Sequence, residues 1–252
     1  MREWLNNILL LQDPQESLWE ACKSGIAEQI IPELPALDLE QHETHKHKDI
    51  LAHTIKVTSQ AEPELVVRFA ALMHDIGKPA TRRFGKDGVT FRHHEIVGSK
   101  MTRKRLEALE YDPQFVEKIT ELVRLSGRFK GYSDGWTDSA VRRYVKDAGP
   151  NLIELNKLVR SDCTTKHKHK ADALQASVDE LEERIEELEE QDRIAALRPQ
   201  LDGNQIMKLL DLPAGPLVGK AVKYLTEIKL SEGELEEPEL IKRLQKWKDL
   251  QV

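Results

Sequence analysis

The stretch Phe69-Ala70-Ala71-Leu72-Met73-His74-Asp75-Ile76-Gly77-Lys78-Pro79 decides how this chain is read. An apolar run leads into a His-Asp doublet, and Gly-Lys-Pro behind it is a stop signal, because proline lacks the backbone donor and fixes φ. The pattern predicts an apolar helix that starts near Pro63, runs to Gly77 and carries the doublet inside it. Burying an ionised carboxylate and an imidazole there costs several kcal/mol unless they are paired or coordinate a cation. Neighbouring helix positions point about 100° apart, so a cation beside this helix must draw further ligands from other elements. His53, in Ile50-Leu51-Ala52-His53-Thr54-Ile55, and Asp162, in Leu158-Val159-Arg160-Ser161-Asp162-Cys163, occupy similar apolar stripes. Together with His74 and Asp75 they offer two imidazoles and two carboxylates. That donor set suits one divalent ion among Mg, Mn, Fe, Co and Ni better than a structural thiolate zinc site.

Outward from this stretch, apolar spacing is helical nearly everywhere. Leu18, Trp19, Cys22, Ile26, Ile30 and Ile31 predict one helix over 14–31, broken by Pro32-Glu33-Leu34-Pro35. A His- and Lys-rich stretch, His42 to Lys48, precedes a helix over 49–60. Gly85-Lys86-Asp87-Gly88 reads as a turn and Val89-Thr90-Phe91 as a short extended piece. Helices are expected over 94–109, 113–125, 138–147 and 151–167, with a long ordered loop over 127–136. Beyond the basic run Lys166-His167-Lys168-His169-Lys170, the residues Leu174, Val178, Leu181, Ile185 and Leu188 place a seam on one long acidic helix. A seam under three heptads marks packing onto a neighbouring helix rather than a free coiled coil. Asp202-Gly203-Asn204-Gln205 reads as a helix cap and 212–219 as a turn in a small helical tail. The expected fold class is all-α: a neck over 1–40, a bundle over 41–170, and the long helix with its tail over 171–252.

Composition agrees and excludes several classes. Among 252 residues 33% are charged and only 5% aromatic, which suits amphipathic helices with aliphatic cores. No run approaches the ~18 apolar residues of a membrane span, and no basic-then-apolar signal segment opens the sequence. The two cysteines, Cys22 and Cys163, form neither a disulfide framework nor a C-x-x-C pair, so a cytoplasmic, reducing setting is expected.

The sequence of a His, a His-Asp doublet and a distant Asp resembles the HD superfamily of metal-dependent phosphohydrolases, with His53, His74, Asp75 and Asp162 in the ligand positions. More specifically, 47–54, 74–79, 91–95, 136–144, 161–165 and 201–207 are similar to the HD-containing C-terminal portion of bacterial CCA-adding tRNA nucleotidyltransferases. The resemblance covers about residues 15–230. It implies an HD-domain helical bundle, with the long helix leading to a small helical tail that contacts tRNA. The nucleotidyl-transferring head of that family uses a Gly-Ser turn followed by Asp-x-Asp. This chain contains no Asp-x-Asp, so alone it is not expected to add nucleotides. Two-metal relatives carry two further histidines. His94, helped by His93, can fill the first position, but Ser126 stands where the second is expected, which implies one metal per chain.

Chemistry follows from these residues. A divalent cation polarises a phosphoryl oxygen and lowers the pKa of a bound water. Asp75, Lys78 and His94 are the catalytic candidates. Lys78, Arg82, Arg83, His93, His94 and Arg128 are candidates for holding substrate phosphate, arginine offering a planar fork. Lys100, Arg103 and Lys104, with Lys168 and Lys170, form basic clusters of the kind that meet an RNA backbone. Two readings result. One is an HD phosphohydrolase acting on phosphomonoesters or 2′,3′-cyclic phosphodiesters of nucleotides or RNA ends. The other is a non-catalytic tRNA-binding module that partners a separate nucleotidyltransferase head.

Overall fold

The computed structural model describes residues 1–40, 48–86, 88–164, 168–196 and 198–251. The chain divides into two compact units, Met1–Ile185 and Glu186–Val252. The first contains α1 (Arg2–Leu9), α2 (Gln15–Lys23), α3 (Ile26–Ile30), α4 (Ile50–Gln60), α5 (Leu65–Met73) and α6 (Lys78–Thr81). It continues through α7 (His94–Ala108), α8 (Pro113–Leu125), α9 (Asp138–Ala148) and α10 (Leu152–Asp162). A long helix, α11 (Lys168–Ala196), runs through the division, and α12 (Gly203–Leu210), α13 (Pro216–Glu232) and α14 (Glu237–Asp249) follow. The strand content among the described residues is one antiparallel hairpin, β1 (Arg83–Gly85) with β2 (Gly88–Thr90), in the register Phe84 opposite Val89. The all-α expectation holds.

Helix α5 is the axis of the first unit. Every residue from Val67 to Met73 is buried, and α4, α8 and α10 all pack against it. A helix apolar on all sides is stable only when enclosed on all sides. Ala70 and Ala71 keep its girth small enough for this, while Phe69 contributes the roughly 1.5–3 kcal/mol expected of a fully buried large side chain. The surrounding core joins Leu5, Leu18, Leu34, Ile55, Leu72, Leu106, Ile119 and Val123, so the N-terminal helices share one interior with the bundle.

Two sequence expectations are corrected here. The apolar stripe of 14–31 is split, with α2 ending at Lys23 and α3 starting at Ile26. Gly25 between them takes φ 78°, a left-handed conformation that stops a helix and that glycine adopts without a Cβ clash. Ile26 is consequently 40% exposed instead of continuing the stripe. The His-Asp doublet also lies at the end of its helix and not within it: α5 stops at Met73 and His74 is its C-cap.

The seam of α11 behaves as expected of intrachain packing. Val178, Leu181 and Ile185 are buried, and Arg160 of α10 reaches Asp179 Oδ1 at 2.6 Å and Glu182 Oε2 at 2.7 Å. In the second unit, Asp202 accepts from Gln205 N at 2.8 Å while the Gln205 side chain accepts from Asp202 N at 2.8 Å, a capping box. The expected turn over 212–219 is shorter, because Pro216 already opens α13. Ile206, Leu210, Ala221, Leu225, Leu240 and Leu244 form this unit's own core.

Candidate metal centre

Four elements deliver the polar cluster. His53 comes from the middle of α4, His74 and Asp75 from the end of α5, His94 from the first turn of α7, and Asp162 from the last residue of α10. Their convergence depends on one close crossing. A Cβ on Gly77 would lie 2.1 Å from the His94 carbonyl oxygen and 2.6 Å from Gly98 N. Only glycine permits α7 to approach the turn after the doublet this closely, and that approach brings His94 to Asp75.

Each imidazole is oriented by its Nδ1. His74 Nδ1 donates to the Ala71 carbonyl at 2.7 Å, and His94 Nδ1 donates to the Phe91 carbonyl at 2.8 Å. His53 Nδ1 shares a hydrogen bond with Thr164 Oγ1 at 2.9 Å. Such contacts fix the tautomer and leave Nε2 available, as in metal-ligating histidines. The three Nε2 atoms all face carboxylates. His53 Nε2 is 3.1 Å from Asp162 Oδ1 and 3.7 Å from Asp75 Oδ2. His74 Nε2 is 3.3 Å from Asp75 Oδ2 and 3.8 Å from Asp162 Oδ1. His94 Nε2 faces the other oxygen, Asp75 Oδ1, at 3.4 Å, and Lys78 Nζ sits 2.5 Å from Oδ2.

The electrostatics follow from burial and charge together. Burial opposes a proton on His74, but Asp75 and Asp162 outweigh it and push the imidazole up to about 9. Burial likewise opposes ionisation of Asp75, and His74, His94 and Lys78 overcome it, holding the carboxyl well below the ordinary range. Asp162 is also lowered against its burial, by the hydrogen bond from His53 and the charge of His74. A buried carboxylate, Asp75, with the part-exposed Asp162 beside it, thus favours a positive charge between them.

A divalent cation is one way to supply that charge. The ligand atoms of His53, His74 and Asp75 all lie within 4.8 Å of one another. His74 Nε2 is fully buried and has no hydrogen-bond partner, a state that costs free energy unless a ligand completes it. The nitrogen-and-carboxylate donor set fits a hard-to-borderline ion. The residues present therefore fit a divalent metal.

A cleft of about 260 Å³ opens over the cluster, lined also by Lys48, Lys78, Ser126, Gly127, Lys130, Thr164 and Leu174. Lys78 and His94 line it. Other sequence candidates lie elsewhere. Arg82 donates to the Glu40 carbonyl at 2.5 Å and stacks on Phe84, Arg83 is exposed on β1, and Arg128 pairs with Asp147 of α9. His93 is exposed, at φ 58° ahead of α7. On α7, Lys100 and Lys104 are exposed, but Arg103 is engaged by Glu117 at 2.5 Å. Lys170 is exposed, while Thr165 to His167 and the Lys168 side chain fall outside the described residues, as does most of the His-rich stretch over 42–48. Sequence reasoning missed Thr164 and Lys130. Thr164 stands two residues past Asp162 in a stretch already singled out, and Lys130 two past the arginine chosen from the same loop.

A helical bundle that gathers a His, a His-Asp doublet and a distant Asp defines a class of metal-binding domains, and the comparisons agree. The chain belongs to the HD domain family, whose model matches residues 49–236. It is 28% identical over 260 residues to the A-adding tRNA nucleotidyltransferase of Deinococcus radiodurans, covering 98% of this chain and 58% of that protein. It is 31% identical over 216 residues to the CC-adding tRNA nucleotidyltransferase of Thermus thermophilus, covering 81% of this chain and 46% of that protein. The chain thus spans about half the length of these curated relatives. Among the described residues, no helix is long and apolar enough to cross a membrane.

Proposed function

We propose that this chain is a metal-dependent phosphohydrolase of the HD type, acting on phosphomonoesters or 2′,3′-cyclic phosphodiesters of nucleotides or RNA ends. The observation that carries the reading is the buried, unpartnered His74 Nε2 facing Asp75 and Asp162 at the floor of a cleft. His53, His74, Asp75 and Asp162 would hold one divalent ion of the Mg, Mn, Co, Ni or Fe group. When bound, it supplies a polarised phosphoryl oxygen and an acidified water. Asp75 would take the proton of an attacking water through Oδ1, which has His94 Nε2 beside it at 3.4 Å. Lys78 balances the charge on Oδ2 and lies at the cleft wall, where it can offset charge on the phosphate. Ser126 in the cleft, where two-metal relatives carry a histidine, supports a single ion. Metal content of the purified chain, followed by hydrolysis of bis-p-nitrophenyl phosphate and 2′,3′-cyclic AMP, tests the proposal. Wild type is expected to hold about one ion and to turn over one of these substrates, and Asp75→Asn to do neither. Equal inactivity of both with every divalent metal overturns it.

A second reading, an RNA-holding module that works with a separate nucleotidyltransferase head in the cytoplasm, is favoured by the tRNA-directed names of the two relatives and by exposed Lys100, Lys104 and Lys170. Binding of tRNA across a salt series tests it, and absence of a complex at low salt removes it.

A further inference from the structure

Beside the metal cleft lies a second cavity, of about 180 Å³, that the phosphate chemistry leaves unused. The two cavities are contiguous: Ser126, Lys130, Asp162 and Leu174 line both. Asp162 lines both, and its Oδ1 lies 3.1 Å from His53 Nε2. The character of the walls changes from one cavity to the other. The metal side is histidine, carboxylate and lysine, whereas the far side is dominated by Phe129 and Tyr132, with Val159 and Cys163 behind them.

The aromatic pair is held in place. Phe129 and Tyr132 stack with ring centroids 5.3 Å apart and planes 18° apart, and Trp136 meets Tyr132 edge-on at 5.3 Å. The Tyr132 hydroxyl is anchored to Glu180 of α11 at 3.4 Å. An apolar, aromatic recess touching a phosphate site matches one ligand geometry closely. A planar heteroaromatic ring connects through a short sugar to a phosphate, and the ring stacks while the phosphate binds cations. Lys130 lines both cavities.

We propose that this second cavity is a nucleobase subsite, and that it restricts the phosphohydrolase to phosphates carried by a nucleoside. The inference rests on the reading of the metal cleft as a phosphate site. It adds that the base is read by stacking on Phe129, whose ring is backed by the buried Tyr132, and stacking tolerates different bases because every base has a π-face.

Equilibrium binding tests it without turnover. The probes are an adenosine phosphonate, with carbon in place of the oxygen bridging to phosphorus, and the corresponding ribose phosphonate lacking the base. With metal-loaded wild type, the adenosine compound is expected to bind at least about tenfold tighter, the lower range of base–aromatic stacking. Phe129→Ala removes the stacking face and Ser177→Phe fills the recess, so each should bring the ratio of the two affinities close to one. Phe129→Tyr, which keeps an aromatic face, should restore it. Equal affinity of the two probes in wild type, or an unchanged ratio in both Phe129→Ala and Ser177→Phe, overturns the inference and leaves the cavity a packing void. A base preference in a chain that hydrolyses nothing would refute the proposed activity and keep the subsite. Hydrolysis of bis-p-nitrophenyl phosphate without any base preference would do the reverse.

Discussion

Helix α5 carries two buried polar groups that have opposite fates. Arg68, near its start, is 1% exposed, and every nitrogen of its guanidinium has an acceptor. Nε donates to the Ala61 carbonyl at 3.0 Å, Nη1 to those of Leu9 and Leu11 at 2.9 and 2.5 Å, and Nη2 to that of Gln12 at 3.2 Å. His74, one residue beyond the end of the same helix, is 3% exposed, and its Nε2 has no hydrogen-bond partner. Equal burial therefore does not mean equal purpose. The arginine completes its bonds within the protein and ties the N-terminal segment to the bundle. The histidine holds one position open, toward two carboxylates that need a cation. Buried Thr54, Thr102 and Thr120 also carry unpartnered hydroxyls, so what separates this site from a brace is an unpartnered nitrogen that faces two carboxylates.

The sharpest way to break this comparison is to remove the carboxylate. Asp75→Asn keeps the shape but not the charge, and metal content and phosphodiester hydrolysis should fall at least a hundredfold. Its thermal stability without metal should fall, because His74 and Lys78 lose the buried charge that pairs with them. Titration calorimetry and a melting curve check both. The converse change is Arg68→Ala, expected to cost roughly 3–5 kcal/mol in urea unfolding, since four carbonyls lose their donor at about 1–3 kcal/mol each and water recovers part. Metal stoichiometry of the fraction that stays folded should be unchanged.

Smaller effects refine the picture. Gly77→Ala forces α7 away from the doublet and should lose about 1–3 kcal/mol of stability. Its signature is a larger loss of hydrolysis than of metal binding, because His94 moves while His53 and His74 stay. Thr164→Val removes the hydrogen bond on His53 Nδ1, and metal affinity should weaken about tenfold, the lower range for such outer contacts. Last comes pH. With His74 raised from an ordinary value near 6.5 to about 9, the metal-free chain should be most stable below 6.5 and lose stability as pH rises through 9. Metal binding needs the neutral imidazole, so the stabilisation by added metal should grow over the same interval. Melting temperatures with and without metal between pH 6 and 9 should diverge, and parallel curves would contradict a shared position for proton and ion.

Much of this was legible before any coordinates. The helical period, the cap at Asp202 and the stop after the doublet gave the all-α class and most helix limits. His53, His74, Asp75 and Asp162 could be chosen because each is a chemically demanding residue inside an apolar stripe, a local contradiction visible in one dimension. The phosphate candidates were less legible. Arg82, Arg83 and Arg128 are as basic as Lys78, and charge alone gave no reason to prefer one. What separated them was where their neighbours lay: Glu40 and Phe84 for Arg82, Asp147 for Arg128, and Asp75 for Lys78.

The sequence by itself determined that helices form, where most stop, and which four side chains are too costly to bury alone. These are consequences of local periodicity, backbone chemistry and transfer free energy, which act over a few residues. Only the tertiary structure decided that the Nε2 atoms of His53 and His74 point at the same two carboxylates, that Gly77 admits α7 close enough to bring His94 to Asp75, and that an aromatic cavity adjoins the cleft at Asp162. Those facts depend on the packing of helices distant in sequence, and distance between helices is set by the volume of the side chains that meet, which no single segment encodes.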